Sequence, residues 1–141
     1  MSVNVKLDDL LTAFEWVSAS GSLENSAFIS KETGSIYLRS DDYELEDELP
    51  EDLDDPSRYV SIPHKNDLDL GKWLAIRYVD EALSDYASTV REIFRKKGAY
   101  AKFKNLLDRK GYLDKWYSYE SKAVEKALRA WAEENGIQVV S

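Results

Sequence analysis

Glu120 is the side chain of this sequence most suggestive of chemistry. It lies four residues after Trp116 and just before Ala123 and Val124, on what helical spacing makes an apolar stripe. A carboxylate there is expensive unless a partner compensates it. The cations within reach by helical phase are Lys104, one turn after Tyr100, Arg77, one turn after Trp73, and Arg95. Such a pair is either a poised general base or ligand grip, or a salt bridge that fixes helix register. The structural role is favoured, because ion pairs that only hold helices together perturb ionisation too. His64 is the only histidine, hence the only side chain that ordinarily titrates near neutral pH. With no nucleophile elbow or comparable signature in the chain, it reads as a connector or cap between a strand and a helix. In an enzyme it would join Glu120, Lys104 and Tyr117.

Charge is distributed unevenly. Asp41 to Pro56 holds ten acidic residues and no basic one, whereas Arg91 to Lys115 holds nine Lys or Arg against Glu92, Asp108 and Asp114, a local excess of +6. The acidic run lacks the glycine of a calcium loop, and Asp67, Asp69 and Gly71 are only a fragment of that pattern, so no metal site is expected and the run reads as a solvated connector. In the basic segment, Lys96, Lys97, Lys102, Arg109 and Lys110 interleave with Tyr100, Phe103 and Tyr112, the combination that nucleic-acid surfaces use. Phe103, Leu107 and Tyr100 share one helical stripe, however, which favours core rings beneath an ordinary solvated lysine face. The two charged segments attract each other, so the acidic loop could lie over the basic face until a partner competes for it.

Other classes are disfavoured. A glycine-rich phosphate loop and a dinucleotide fingerprint are both lacking, and no cofactor is expected. The chain has no cysteine, so a disulfide framework, a thiolate nucleophile and a cysteine zinc site are excluded, in keeping with a cytoplasmic protein. No window approaches the roughly 18–20 apolar residues of a membrane span. The net charge of −8 opposes indiscriminate binding to nucleic acid or anionic membrane.

The elements that must position these residues read as α+β. Leu7, Leu10, Leu11, Phe14 and Val17 predict an amphipathic first helix, ending before a turn at Ser20, Gly21 and Ser22. Ala27–Ser30 and Ile36–Arg39 flank Lys31, Glu32, Thr33 and Gly34, a β-hairpin with glycine where positive φ is needed. Tyr59, Val60 and Ile62 suggest a third strand, placed at an edge by Pro63. From Asp67, Leu70, Trp73, Leu74, Ile76, Tyr78 and Val79 make a central helix apolar on more than one side. Two shorter helices stop at Gly98 and Gly111, and a long last helix carries Trp116, Ala123, Val124, Ala127, Leu128 and Trp131 to a cap at Asn135 and Gly136. Ile137–Val140 is a short strand or a docked tail. Together these predict a single domain over 1–141: a helix and small antiparallel sheet in 1–63 with an acidic loop at 41–56, and a helical half of about four helices in 64–141. Trp73, Phe94, Phe103, Trp116 and Trp131 are expected to pack the two halves together.

Gly98, Ala99, Tyr100, then Phe103, Lys104, Leu106, Leu107, then Leu113, Trp116, Tyr117 and Glu120 resemble the C-terminal signature of the bacterial uncharacterised protein family 0158. Ile62, Pro63 and His64, the Glu32–Thr33–Gly34 turn, and Trp131 with Glu134, Asn135 and Gly136 are similar to that family as well. The resemblance implies a single bacterial domain and carries no assigned reaction, cofactor or catalytic residue.

No function is assignable from these residues alone. The reading they favour is a non-enzymatic intracellular interaction domain that binds a protein or nucleic-acid partner through the helical half, with Lys96, Lys97, Lys102, Lys104, Glu120 and His64 as candidate binding residues. The alternatives are an enzyme or small-ligand-binding protein built around Glu120, Lys104 and His64, and a homodimer formed through exposed apolar surface, since four Trp and nine Tyr are many for a chain of this size.

Overall fold

The computed structural model describes residues 3–19, 25–40 and 49–141. The turn expected at Ser20–Ser22 and the first half of the acidic run, residues 41–48, lie outside the described residues, as does any contact of that run with the basic segment. The fold is α+β, and the chain divides into two compact units: Met1–Leu68 with Lys126–Ser141, and Asp69–Glu125.

The first unit contains β1 (Val3–Lys6), α1 (Leu7–Ser18), β2 (Asn25–Ser30), β3 (Ile36–Ser40) and β4 (Tyr59–Ser61), with a last strand at Ile137–Val140. α1 buries Leu10, Ala13, Phe14 and Val17 and places Asp8 and Asp9 in its first turn, where carboxylates meet the positive end of the helix dipole. It packs on β2, and Trp16 Nε1 donates a 3.0 Å bond to the Ser26 carbonyl while Asn25 Nδ2 donates one of 3.0 Å to the Trp16 carbonyl. The hairpin is where the sequence places it: β2 pairs antiparallel with β3, Ile29 opposite Ile36. Ser30 is buried, and its hydroxyl accepts from the Glu32 and Thr33 amides at 3.2 Å each. Gly34 closes the turn at φ +79°, donating its amide to the Ser30 carbonyl at 2.9 Å. β4 is the expected third strand and lies at an edge, the order being β3-β2-β4.

A strand at the very start is not expected from the sequence. β1 is only four residues long and pairs in parallel with Ile137–Val140 at the other end of the chain, so local pattern carries little trace of it. The C-terminal segment is accordingly a strand rather than a docked tail.

The second half of the acidic run is held in place. Leu53 is 3% exposed, Asp54 pairs with Arg39 at 3.0 Å, and Asp52 takes Arg58 at 2.7 Å and the Tyr59 hydroxyl at 3.1 Å. Asp55 accepts from the Ser57 hydroxyl at 2.6 Å and the Ser57 amide at 2.9 Å; these bonds, the hydroxyl first, hold its carboxyl below the usual range. Burial, and then the bond to Asp52, pushes the Tyr59 phenol up.

The second unit is helical: α2 (Lys72–Ala82), α3 (Ala87–Ile93), α4 (Ala99–Arg109) and residues 113–125 of α5 (Leu113–Glu134). Its centre is aromatic. Trp116 and Phe103 are fully buried and meet edge to face, 5.1 Å between centroids at 89°. Tyr78 approaches Trp116 at 5.4 Å and Phe94 approaches Phe103 at 5.5 Å, spacings at which ring quadrupoles attract. Among the described residues the Trp116 indole N–H is buried without an acceptor, which costs about 1–3 kcal/mol. Phe94 and Trp131 are half-buried. Trp73 corrects the expected core: it is 57% exposed. α2 buries Leu74, Ala75, Ile76, Tyr78 and Val79 and turns Trp73 outward with Arg77.

Candidate functional site

Glu120 is met by a phenol. Tyr100, in the first turn of α4, donates its hydroxyl to Glu120 Oε2 on α5 at 3.4 Å. Burial first, then the Glu120 charge and this bond, hold the Tyr100 phenol well above a tyrosine's ordinary range. Lys104 stands alongside: its Nζ lies 5.6 Å from the centroids of both the Tyr100 and Tyr117 rings, within cation–π reach. Tyr100, Lys104, Tyr117 and Glu120 therefore form one group tying α4 to α5. The other two cations expected near Glu120 lie elsewhere: Arg95 is exposed and sits 3.4 Å from Glu92, and Arg77 is exposed on α2. A tyrosine phenol held protonated is a hydrogen-bond donor at neutral pH and no base.

His64 organises a turn. Its amide donates to Asp67 Oδ2 at 3.0 Å, and its Nδ1 accepts from the Asn66 amide at 3.0 Å. The Lys65–Leu68 3₁₀ turn is thereby closed from both sides. Among the described residues, no three His, Asp or Glu side chains are grouped to hold a metal ion.

The basic residues divide into two kinds. Some are already engaged: Arg91 pairs with Asp80 at 2.8 Å, Lys110 stands 5.3 Å from the Tyr86 ring and Lys115 5.0 Å from that of Tyr112. Lys96 and Lys97, in the turn between α3 and α4, and Lys102 and Arg109, seven residues apart on α4 and so on one side of it, are exposed and have no ionic partner among the described residues. Phe103 beneath them is core, as its phase requires. Among the described residues two rings of the unit are exposed, Trp73 and Tyr117; Trp73 has Lys72 Nζ 5.2 Å from its centroid and Arg77 one turn on. Helical phase carries a signal for this, since Trp73 shares its face with Arg77, Asp80 and Glu81.

The units also separate charge. Asp69–Glu125 carries twelve Lys or Arg against nine Asp or Glu, net +3, and the other unit carries seven against eighteen, net −11.

The model of the uncharacterised protein family UPF0158 matches residues 5–141. The chain belongs to that family. The match covers the Gly98–Glu120 signature as well as the hairpin and the closing helix, so this UPF0158 chain carries both units within the family's span. No curated protein and no solved structure matches it. Among the described residues of this UPF0158 member, no helix is long and apolar enough to cross a membrane.

Proposed function

We propose that this UPF0158 protein is an interaction domain whose helical unit binds an anionic partner, single-stranded nucleic acid being the class that fits best. The observation that carries the reading is the company Trp73 keeps: an indole exposed beside Lys72 and Arg77, in a unit of net +3 that also presents Lys96, Lys97, Lys102 and Arg109 to solvent. Cations neutralise phosphates and release counterions, while an exposed ring stacks on any base. The Tyr100–Glu120 bond joins α4 to α5, which supports a structural role for the pair.

The test is fluorescence anisotropy with a labelled poly-U strand of about 20 nucleotides at several salt concentrations. Exchanging Lys96, Lys97 and Lys102 for Glu should weaken binding and reduce the slope of log K against log salt by about 2, at roughly 0.7 per phosphate contact on single strands. Trp73→Ala should weaken it by about 5- to 150-fold, from roughly 1–3 kcal/mol per stacked base. Equal affinity for polyglutamate, with no dependence on Trp73, would assign the surface to an acidic protein instead. No binding at low salt would end the proposal.

A further inference from the structure

α2 is charged against its own dipole. Its first turn holds Lys72 and no acidic residue, and its last turn holds Asp80 and Glu81 and no basic one, whereas a helix dipole favours carboxylates at its start and cations at its end. Arg77 and Glu81 stand one turn apart in the less favourable of the two orders for such a pair. Neither has an ionic partner among the described residues, while Asp80 is engaged by Arg91 at 2.8 Å. At 3.6 residues per turn, Trp73, Arg77, Asp80 and Glu81 fall on one side of the helix, and all four are exposed. This face is positive toward its start, negative toward its end, and carries its one large apolar group at the positive end. Turned end for end, it is complementary to itself.

We infer that α2 pairs with α2 of a second copy of this chain, antiparallel about a two-fold axis level with Val79. A two-fold contact makes every interaction twice. This axis exchanges positions 77 and 81, so that Arg77 of each copy meets Glu81 of the other. Shifting it two residues toward either end would oppose the two Arg77 or the two Glu81 side chains, and like-charge repulsion thereby fixes the register. Trp73 lies six residues and about 9 Å from the axis, which places it at the C-terminal end of the other copy's helix. Lys72 beside it is brought to that same end, where the dipole favours a cation.

The helix has 11 residues and is about 16 Å long, so the contact belongs to the small class of interfaces and the dimer is reversible. Pairing requires no nucleic acid and stands whether or not the anionic partner binds; where both occur, they compete for Trp73.

Sedimentation velocity of the full chain without nucleic acid, from micromolar to millimolar concentration, should show a monomer–dimer equilibrium that weakens as sodium chloride is raised. Arg77→Glu and Glu81→Arg should each raise the dissociation constant at least about tenfold, since each reversal sets like charges across the axis. Mixed in equal amounts, the two variants should associate at least as tightly as the native chain, because one then presents two carboxylates and the other two guanidinium groups. Both positions are exposed, so circular dichroism should be unchanged. Should a variant misfold, the salt dependence of the native chain still decides, because a dimer held by apolar surface elsewhere would not weaken with salt. A chain monomeric at millimolar concentration, a dimer indifferent to both reversals, or a mixture that stays monomeric while the native chain pairs would overturn the inference.

Discussion

Gly34→Ala is the substitution whose cost the structure specifies most sharply. Two effects add. At φ +79° an L residue sits in the left-handed region, at about 1–2 kcal/mol. The new Cβ would then lie 2.5 Å from the Asn4 carbonyl oxygen, a backbone atom fixed by the pairing of β1 with the C-terminal strand, so relief requires moving a strand; forced overpacking of this kind costs about 1–3 kcal/mol. The sum is about 2–5 kcal/mol. Gly111 separates the two effects, because it has φ +78° but nothing within 4 Å of where a Cβ would stand, so Gly111→Ala should cost only the first. Urea denaturation followed by circular dichroism gives both values. Gly34→Ala should exceed Gly111→Ala by at least about 1 kcal/mol, and near-equal costs would refute the claim that the hairpin turn abuts β1.

Stability should also fall at alkaline pH. The Tyr100 phenol titrates above its unfolded value of about 10 because burial and Glu120 favour its neutral form; its contribution is therefore complete below about pH 10 and lost as pH rises beyond it. Melting temperatures measured between about pH 8 and 11 should drop less steeply in Tyr100→Phe than in the native chain, and parallel curves would show that Tyr100 is not responsible. Phe103→Ala should cost about 3–5 kcal/mol, while Trp73→Ala, on an exposed face, should change stability by less than about 0.5 kcal/mol; comparable losses in the two variants would mean that Trp73 is buried after all. Arg91→Ala removes an exposed pair with Asp80 and should cost at most about 1 kcal/mol by the same measurement.

What can be read from the sequence is local. The hairpin is legible because Gly34 interrupts two β-forming runs at the position that needs positive φ, and α5 because its apolar residues repeat along its whole length. Pairing between distant segments is not: Val3–Lys6 is too short to show a period, and its partner begins at Ile137. Trp73 misleads because its hydrophobicity points to the core while its phase places it with Arg77. Phase does single out Glu120, but not the Tyr100 phenol that meets it from twenty residues away, since a neutral donor can serve a carboxylate as well as a cation can. The acidic run looks uniformly solvated because composition cannot distinguish Asp52, held by Arg58 and Tyr59, from its neighbours.

The parallel pairing of β1 with the last strand has a consequence for synthesis. At about 5–20 residues per second, residues 1–68 wait roughly 4–15 s for Ile137–Val140 to be translated, whereas residues 69–125 form an uninterrupted stretch whose aromatic centre is complete before the chain ends. The unit that is first in sequence is thus last to close. During that interval the β1 edge that Ile137–Val140 will pair with is uncovered on the nascent chain, where chaperones and neighbouring polysomal chains would meet it.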